Sequence, residues 1–173
     1  MVVSLRNVSA APVADVPIAF TVKSRTGASL YTNAMPGQSP SLVSVALVPA
    51  HGTVDWVDDQ VQTPADAAVV SARVGEGTVR KGQAPRLSVA SVRTIDDPTN
   101  GPGAEGEVRN ESSVSQNELV VFAVARRASR IVAAGRAVLP HAGAHAVTRF
   151  QLFFLGAASG AALQTQAPPP TLE

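Results

Sequence analysis

The chain has no cysteine. Disulfides, thiol catalysis and cysteine-based zinc sites are excluded together. The compartment is not, because a bacterial envelope protein folds without disulfides if its cores suffice. Aromatic residues are scarce, 4% of the total with a single Trp and a single Tyr, so the cores are expected to be aliphatic and thin. The formal net charge is only +1, without the concentrated basic face that nucleic acid requires. No run of about 18 apolar residues occurs, which excludes a transmembrane helix within the chain. No secretory leader is visible, since Met1-Val2-Val3-Ser4-Leu5 reads as a strand. Leu172-Glu173 reads as a cloning scar, and a native N-terminal targeting segment is expected ahead of Met1.

What is present points to strands. Val, Ala and Leu dominate a hydrophobic content of 45%, accompanied by 13 Gly and 13 Pro. That composition favours sheets and turns over helices. Apolar residues alternate at Val3 and Leu5, at Val16, Ile18, Phe20 and Val22, at Leu42, Val43, Val45 and Leu47, at Val54 and Trp56, and at Val69, Val70, Ala72 and Val74. Each group predicts a strand with one face inward. Gly75–Pro85, with Gly77 and Gly82 between, is the expected linker. Beyond it, strands are predicted over Leu87–Ile95, Glu105–Asn110, Leu119–Ala125, Ile131–Leu139 and Ala144–Leu155. An edge strand near Ala161–Thr165 comes next, and the prolines after it are expected to form an unpaired tail.

The two halves resemble each other in the same order. Leu5-Arg6-Asn7-Val8-Ser9 matches Val108-Arg109-Asn110-Glu111-Ser112, and Pro17–Val22 matches Leu119–Val124. Leu47-Val48-Pro49-Ala50-His51-Gly52 aligns with Val138-Leu139-Pro140-His141-Ala142-Gly143. The first half carries an insertion around Tyr31–Ser41. A period this long means duplicated domains rather than a solenoid. The expected division is 1–80, 81–160 and a tail at 161–173: two tandem immunoglobulin-like antiparallel β-sandwiches, all-β, with strand-ending Asn-x-Ser motifs. Lys23–Gly27 and Arg126–Arg130 fall where hairpin tips belong.

Gly106-Glu107-Val108-Arg109-Asn110-Glu111-Ser112, the Leu119–Ala125 strand, the basic hairpin, Ala133-Ala134-Gly135, Leu139-Pro140 and Gly143 together resemble the FxLYD-type modules. The resemblance covers Arg86–Gly156 well and Val2–Val74 more loosely; the family's Leu-Tyr-Asp stretch is replaced by Ala125-Arg126-Arg127. It implies a small immunoglobulin-like sandwich of a bacterial cell-envelope protein, extracytoplasmic and anchored by an N-terminal membrane segment. These motifs are structural and say little about function.

Few constellations offer chemistry. His141 and His145 have a spacing that converges on a helix but not at the turn implied by Pro140 and Gly143, so His51, His141 and His145 are expected to be solvated turn residues with no metal. Asp96, Asp97 and Asn100 could offer oxygens to calcium, but ordinary turn chemistry is preferred. Trp56, flanked by Asp55, Asp58 and Asp59, is expected in the core with the carboxylates outside; the other reading makes it an exposed contact. Arg126, Arg127 and Arg130 are expected at a solvated tip, with contact to an anionic partner as the sharper reading. No serine sits in a nucleophile elbow and no glycine loop opens a helix, so neither catalysis nor a cofactor is expected.

The leading expectation is therefore a non-catalytic extracytoplasmic module, a spacer or protein-interaction unit with a protein partner. The alternatives are a module binding cell-wall carbohydrate or anionic polymer through Trp56, Tyr31 and the basic tip, and an accessory domain of a larger enzyme. No nucleic-acid partner is expected, and the membrane only through a segment outside the chain. Open sandwich edges also suggest a homodimer.

Overall fold

The structure is a computed structural model describing residues 1–63 and 67–173. It is almost entirely antiparallel β. The strands are β1 (Val2–Arg6), β2 (Val13–Ser24), β3 (Ser29–Thr32), β4 (Ser44–Val48), β5 (Thr53–Val57), β6 (Ala67–Val74), β7 (Thr78–Val79), β8 (Leu87–Asp97), β9 (Gly101–Asn110), β10 (Gln116–Arg127), β11 (Arg130–Ala142), β12 (Val147–Phe153), β13 (Leu155–Gly156) and β14 (Ala162–Gln166). A single 3-10 turn, Pro40–Leu42, interrupts them among the described residues. Leu42 and Val43, expected in a strand, fall in and just after this turn, which Pro40 opens and the Ser44 hydroxyl closes by donating to the Pro40 carbonyl. Ala144 and His145, also expected in a strand, form the turn before β12.

One sheet runs β3-β2-β4, with β6 and β7 also on β2; β1 pairs β5; β12-β9-β8 forms a third sheet and β13-β11-β10-β14 a fourth. Strand β2 behaves as its alternation predicts. Ala14, Val16, Ile18, Phe20 and Val22 are buried, while Asp15, Pro17, Ala19 and Lys23 face outward. Strand β10 does not alternate: Leu119 through Ala125 are all buried. Its odd-numbered residues Leu119, Val121, Ala123 and Ala125 enter one core with Val108, Phe150 and Leu152. Its even-numbered residues Val120, Phe122 and Val124 enter the other, with Phe20, Val45 and Trp56. The sheet carrying β10 therefore lies between both cores, and the halves are joined face to face rather than only by a linker.

The halves share one hydrogen-bond scheme. Asn7 accepts from the Ser9 amide (2.9 Å) and hydroxyl (2.7 Å) and donates to Ala11 and Val48 carbonyls. Asn110 accepts from the Ser112 amide (3.1 Å) and hydroxyl (2.6 Å) and donates to Val114, Ala142 and Gly143 carbonyls. Each Asn thus ties a strand end to a loop and to a neighbouring strand. Asp15 on β2 and Glu118 on β10 both have φ of 52°, and each is skipped by its strand's pairing with β4 or β11.

The second repeated segment is shifted by one residue from its sequence alignment, since Asp15 stands where Glu118 does and Phe20 enters the core of its own half as Ala123 does, not Phe122; the third is shifted too. His51 donates its amide to Ser9 O (3.1 Å), and it is His145, not His141, that donates to Ser112 O (3.1 Å). His51 and His145 share a left-handed backbone, φ 53° and 52°. The prolines misled the alignment. Pro49 sits in a turn, whereas Pro140 lies within β11, opposite the skipped Glu118 where no ladder bond is needed.

The C-terminal segment also differs from expectation. β14 pairs with β10 as β6 pairs with β2, in keeping with the predicted edge strand. The prolines after it are not a free tail: Pro168 and Pro169 are buried, and Thr171 exchanges hydrogen bonds with the Gln116 side chain (3.0 and 3.2 Å). Prolines cannot enter a ladder, but their rings bury well. This segment occupies the place that β7 takes beside β2. The expected linker is likewise partly structured, since it contains β7.

Replacing Asn110 by Ala leaves carbonyls of Val114, Ala142 and Gly143 without their donor. Asn110→Ala is expected to destabilise the chain by about 3 kcal/mol in urea unfolding. Because the cores share β10, fluorescence of Trp56 in the first half should report the same transition as circular dichroism.

Candidate functional site

Trp56 is 0% exposed, its ring edge-on to Phe20 at 6.1 Å and its indole N–H donated to the Ser41 carbonyl (2.9 Å). It is a core residue, so its reading as an exposed contact does not hold in this fold. Tyr31 is half-buried and stacks on Phe20 at 5.5 Å. The two aromatics lie on one cluster and present no exposed platform.

The carboxylates around Trp56 do not face solvent as expected. Asp55 and Asp58 are buried, and Asp59 is half-buried. Asp55 accepts from Arg126 (2.6 Å) and from the Ser4 hydroxyl, and its backbone N–H donates to the Gln166 side chain (2.8 Å). The same Gln166 amide donates to the Thr53 carbonyl (3.2 Å). One side chain from β14 thereby satisfies the strand edge of β5. Asp59 accepts from Arg136 (2.9 Å), whose side chain is 7% exposed and also donates to the Ser41 hydroxyl (2.9 Å). All these bonds except Ser4–Asp55 cross from one half to the other. Buried charges demand such partners, and these pairs fix the register of the joint.

Arg126, expected at a solvated tip, is therefore part of the joint. Arg127 and Arg130 do lie at the hairpin end, whose turn is made by Ala128 at φ 53° and Ser129. Arg130 is exposed, and Arg127 donates to the Ser159 carbonyl (2.6 Å). Two guanidiniums do not make a polyanion face on their own.

The histidines are exposed turn or strand-end residues, and the ring of His141 bonds the Asn117 side chain (2.8 Å). Among the described residues no group of three or more His, Asp or Glu could hold a metal ion. Asp97 Oδ1 accepts from the amides of Thr99 (2.9 Å) and Asn100 (2.8 Å), and these hydrogen bonds hold its carboxyl below the usual range. That carboxylate closes its own turn.

Asp58 is different. Its Oδ1 accepts the Gln60 amide (2.8 Å), while Oδ2 has no hydrogen-bond partner within ordinary distance among the described residues. Burial pushes its carboxyl up. Burial, and then the neighbouring Asp58 charge, push the Tyr31 phenol up as well.

One surface feature was not read from the sequence. A groove of about 290 Å³ runs along the first half between β1 and the β6–β7 segment, lined by Leu5, Val8, Val16, Val74, Gly77 and Val79. Its rim is apolar and open: Val8 is 79% exposed and Val79 64%. All of β6 is exposed, although it carries Val69, Val70 and Val74. The signal for it was present as Val8, an apolar residue in the place where the second half has Glu111.

No helix among the described residues is long and apolar enough to cross a membrane. No family model matches the chain, and no curated protein or solved structure is similar to it.

Two outcomes follow. The emission of Trp56 is expected to be blue-shifted and resistant to iodide quenching in the folded chain. Because the Asp58 carboxyl is raised in the folded state, the unfolded chain loses that proton first, and the contribution of Asp58 to stability falls as pH rises from the ordinary carboxylate range through the raised value, opposite in sign to that of Asp97. Asp58→Asn should flatten that slope and be relatively more stable at about pH 7 than at about pH 4, read from urea midpoints.

Proposed function

We propose that the chain is a non-catalytic module of a bacterial cell-envelope protein, acting outside the cytoplasm as a spacer or protein-interaction unit. The immunoglobulin-like, FxLYD-type tandem is part of the same reading, as is an anchor through a membrane segment beyond this chain. What carries it is the joint. Arg126, Arg136, Asp55, Asp59 and Gln166, the polar side chains best placed to do chemistry, are engaged in holding one half against the other. A duplicated fold with a stiff joint and an open apolar groove suits presentation and binding better than turnover.

The alternative, a carbohydrate or anionic-polymer site, has less support. Sugar sites want exposed aromatic platforms, and Trp56 is buried while Tyr31 stacks inside.

The test is cross-linking and pull-down of the full-length protein from intact cells of its source, with membranes solubilised. A reproducible envelope protein is the expected catch. Co-purification with wall polymer alone would favour the alternative. Specific turnover of a defined substrate by the purified chain would sink the non-catalytic reading.

A further inference from the structure

We infer that the groove of the first half receives one extended strand from a partner polypeptide, laid antiparallel on β1. The inference rests on the reading of this chain as a protein-interaction unit and names the chemistry of the partner. Its basis is the internal repeat, because the second half shows the same seam filled.

In the second half, β8 runs antiparallel to β9, with Leu87 opposite Asn110 and Val89 opposite Val108. The Glu111 amide donates to the Arg86 carbonyl at the start of that pairing (2.9 Å). Leu87, Val89 and Val92, like Leu163 and Ala167, pack against the core of that half, and β8 approaches β14. In the first half β1 stands where β9 does, Asn7 matching Asn110 and Leu5 matching Val108, yet among the described residues β1 pairs only with β5. Val70 and Val74 stand where Leu163 and Ala167 do. They are 52% and 50% exposed, and no strand among the described residues covers them.

The occupant follows from what β8 supplies. It must be extended, with apolar side chains at alternate positions to cover Val70, Val74 and Val79, and polar ones outward. Main-chain hydrogen bonds along β1 would give the affinity. Arg6, the one charge on β1, is exposed and makes no ion pair among the described residues, so carboxylates suit the outward face of the incoming strand. A second copy fits less well. Pairing β1 with its own copy about Ser4 sets Val2 opposite Arg6 and ends short of Val8 and Val79, leaving that end of the groove bare.

The experiment uses the intact chain and a fluorescein-labelled peptide of residues Arg86–Asp97, which carries the apolar alternation of β8 at Leu87 and Val89 without outward carboxylates along that stretch. Saturable 1:1 binding by anisotropy is expected, with a Kd on the order of 10–100 µM. Val8→Glu and Val74→Glu, both at exposed positions, should each weaken binding at least tenfold without changing the melting temperature. A scrambled peptide lacking the alternation should not bind, and bound peptide should slow amide exchange along β1. Absence of saturable binding below about 1 mM would overturn the inference. So would binding unchanged in both variants, or a dimer of the free chain with β1 amides already protected. These failures leave the interaction reading standing, to be carried by another surface. Substrate turnover would remove that reading whatever the peptide does.

Discussion

Strand β10 is buried on both faces, and most of the architecture follows from that constraint. A strand in an ordinary sandwich has one wet face, which sets the alternation seen in β2. β10 gives Leu119, Val121 and Ala123 to one core and Val120, Phe122 and Val124 to the other. Neither half can then be complete without the other. The ion pairs Arg126–Asp55 and Arg136–Asp59 flank this apolar contact, and the Gln166 amide closes the edge of β5. Hydrophobic burial supplies the contact, and the buried polar groups permit only one register for it.

Much of the fold was legible because its signals are local. Alternation placed most of the strands, and Asn-x-Ser marked both strand ends where Asn7 and Asn110 tie loops to neighbours. The joint was written in the sequence too, as seven consecutive apolar residues from Leu119 to Ala125 where Pro17–Val22 alternates. An uninterrupted run of that length means a strand covered on both sides. Read only as a central strand, it leaves the covering layer unspecified.

What was not legible depended on long-range geometry. Arg126 sits three positions from Ser129 at the hairpin tip and looks solvated, but the joint brings Asp55 to it across the molecule. The carboxylates beside Trp56 looked outward because nothing local says that Arg126, Arg136 and Gln166 lie there. The alignment of Pro49 with Pro140 failed because proline serves a turn in one case and a skipped strand position in the other. Pro168 and Pro169 carried no ladder signal, yet their rings bury as well as those of any apolar residue. The open groove is a difference between two copies of one scheme, visible only when both are laid over each other.

The joint has a mechanical consequence. Two domains strung on a flexible linker behave as beads, and the linker absorbs any pull by straightening. Here the contact is a broad sheet face pinned by ion pairs at its margins, so the pair acts as a single lever. Bending it must draw Phe122 and Val124 out of the first core. That contact, rather than the stretch between β7 and β8, sets the angle at which the halves meet.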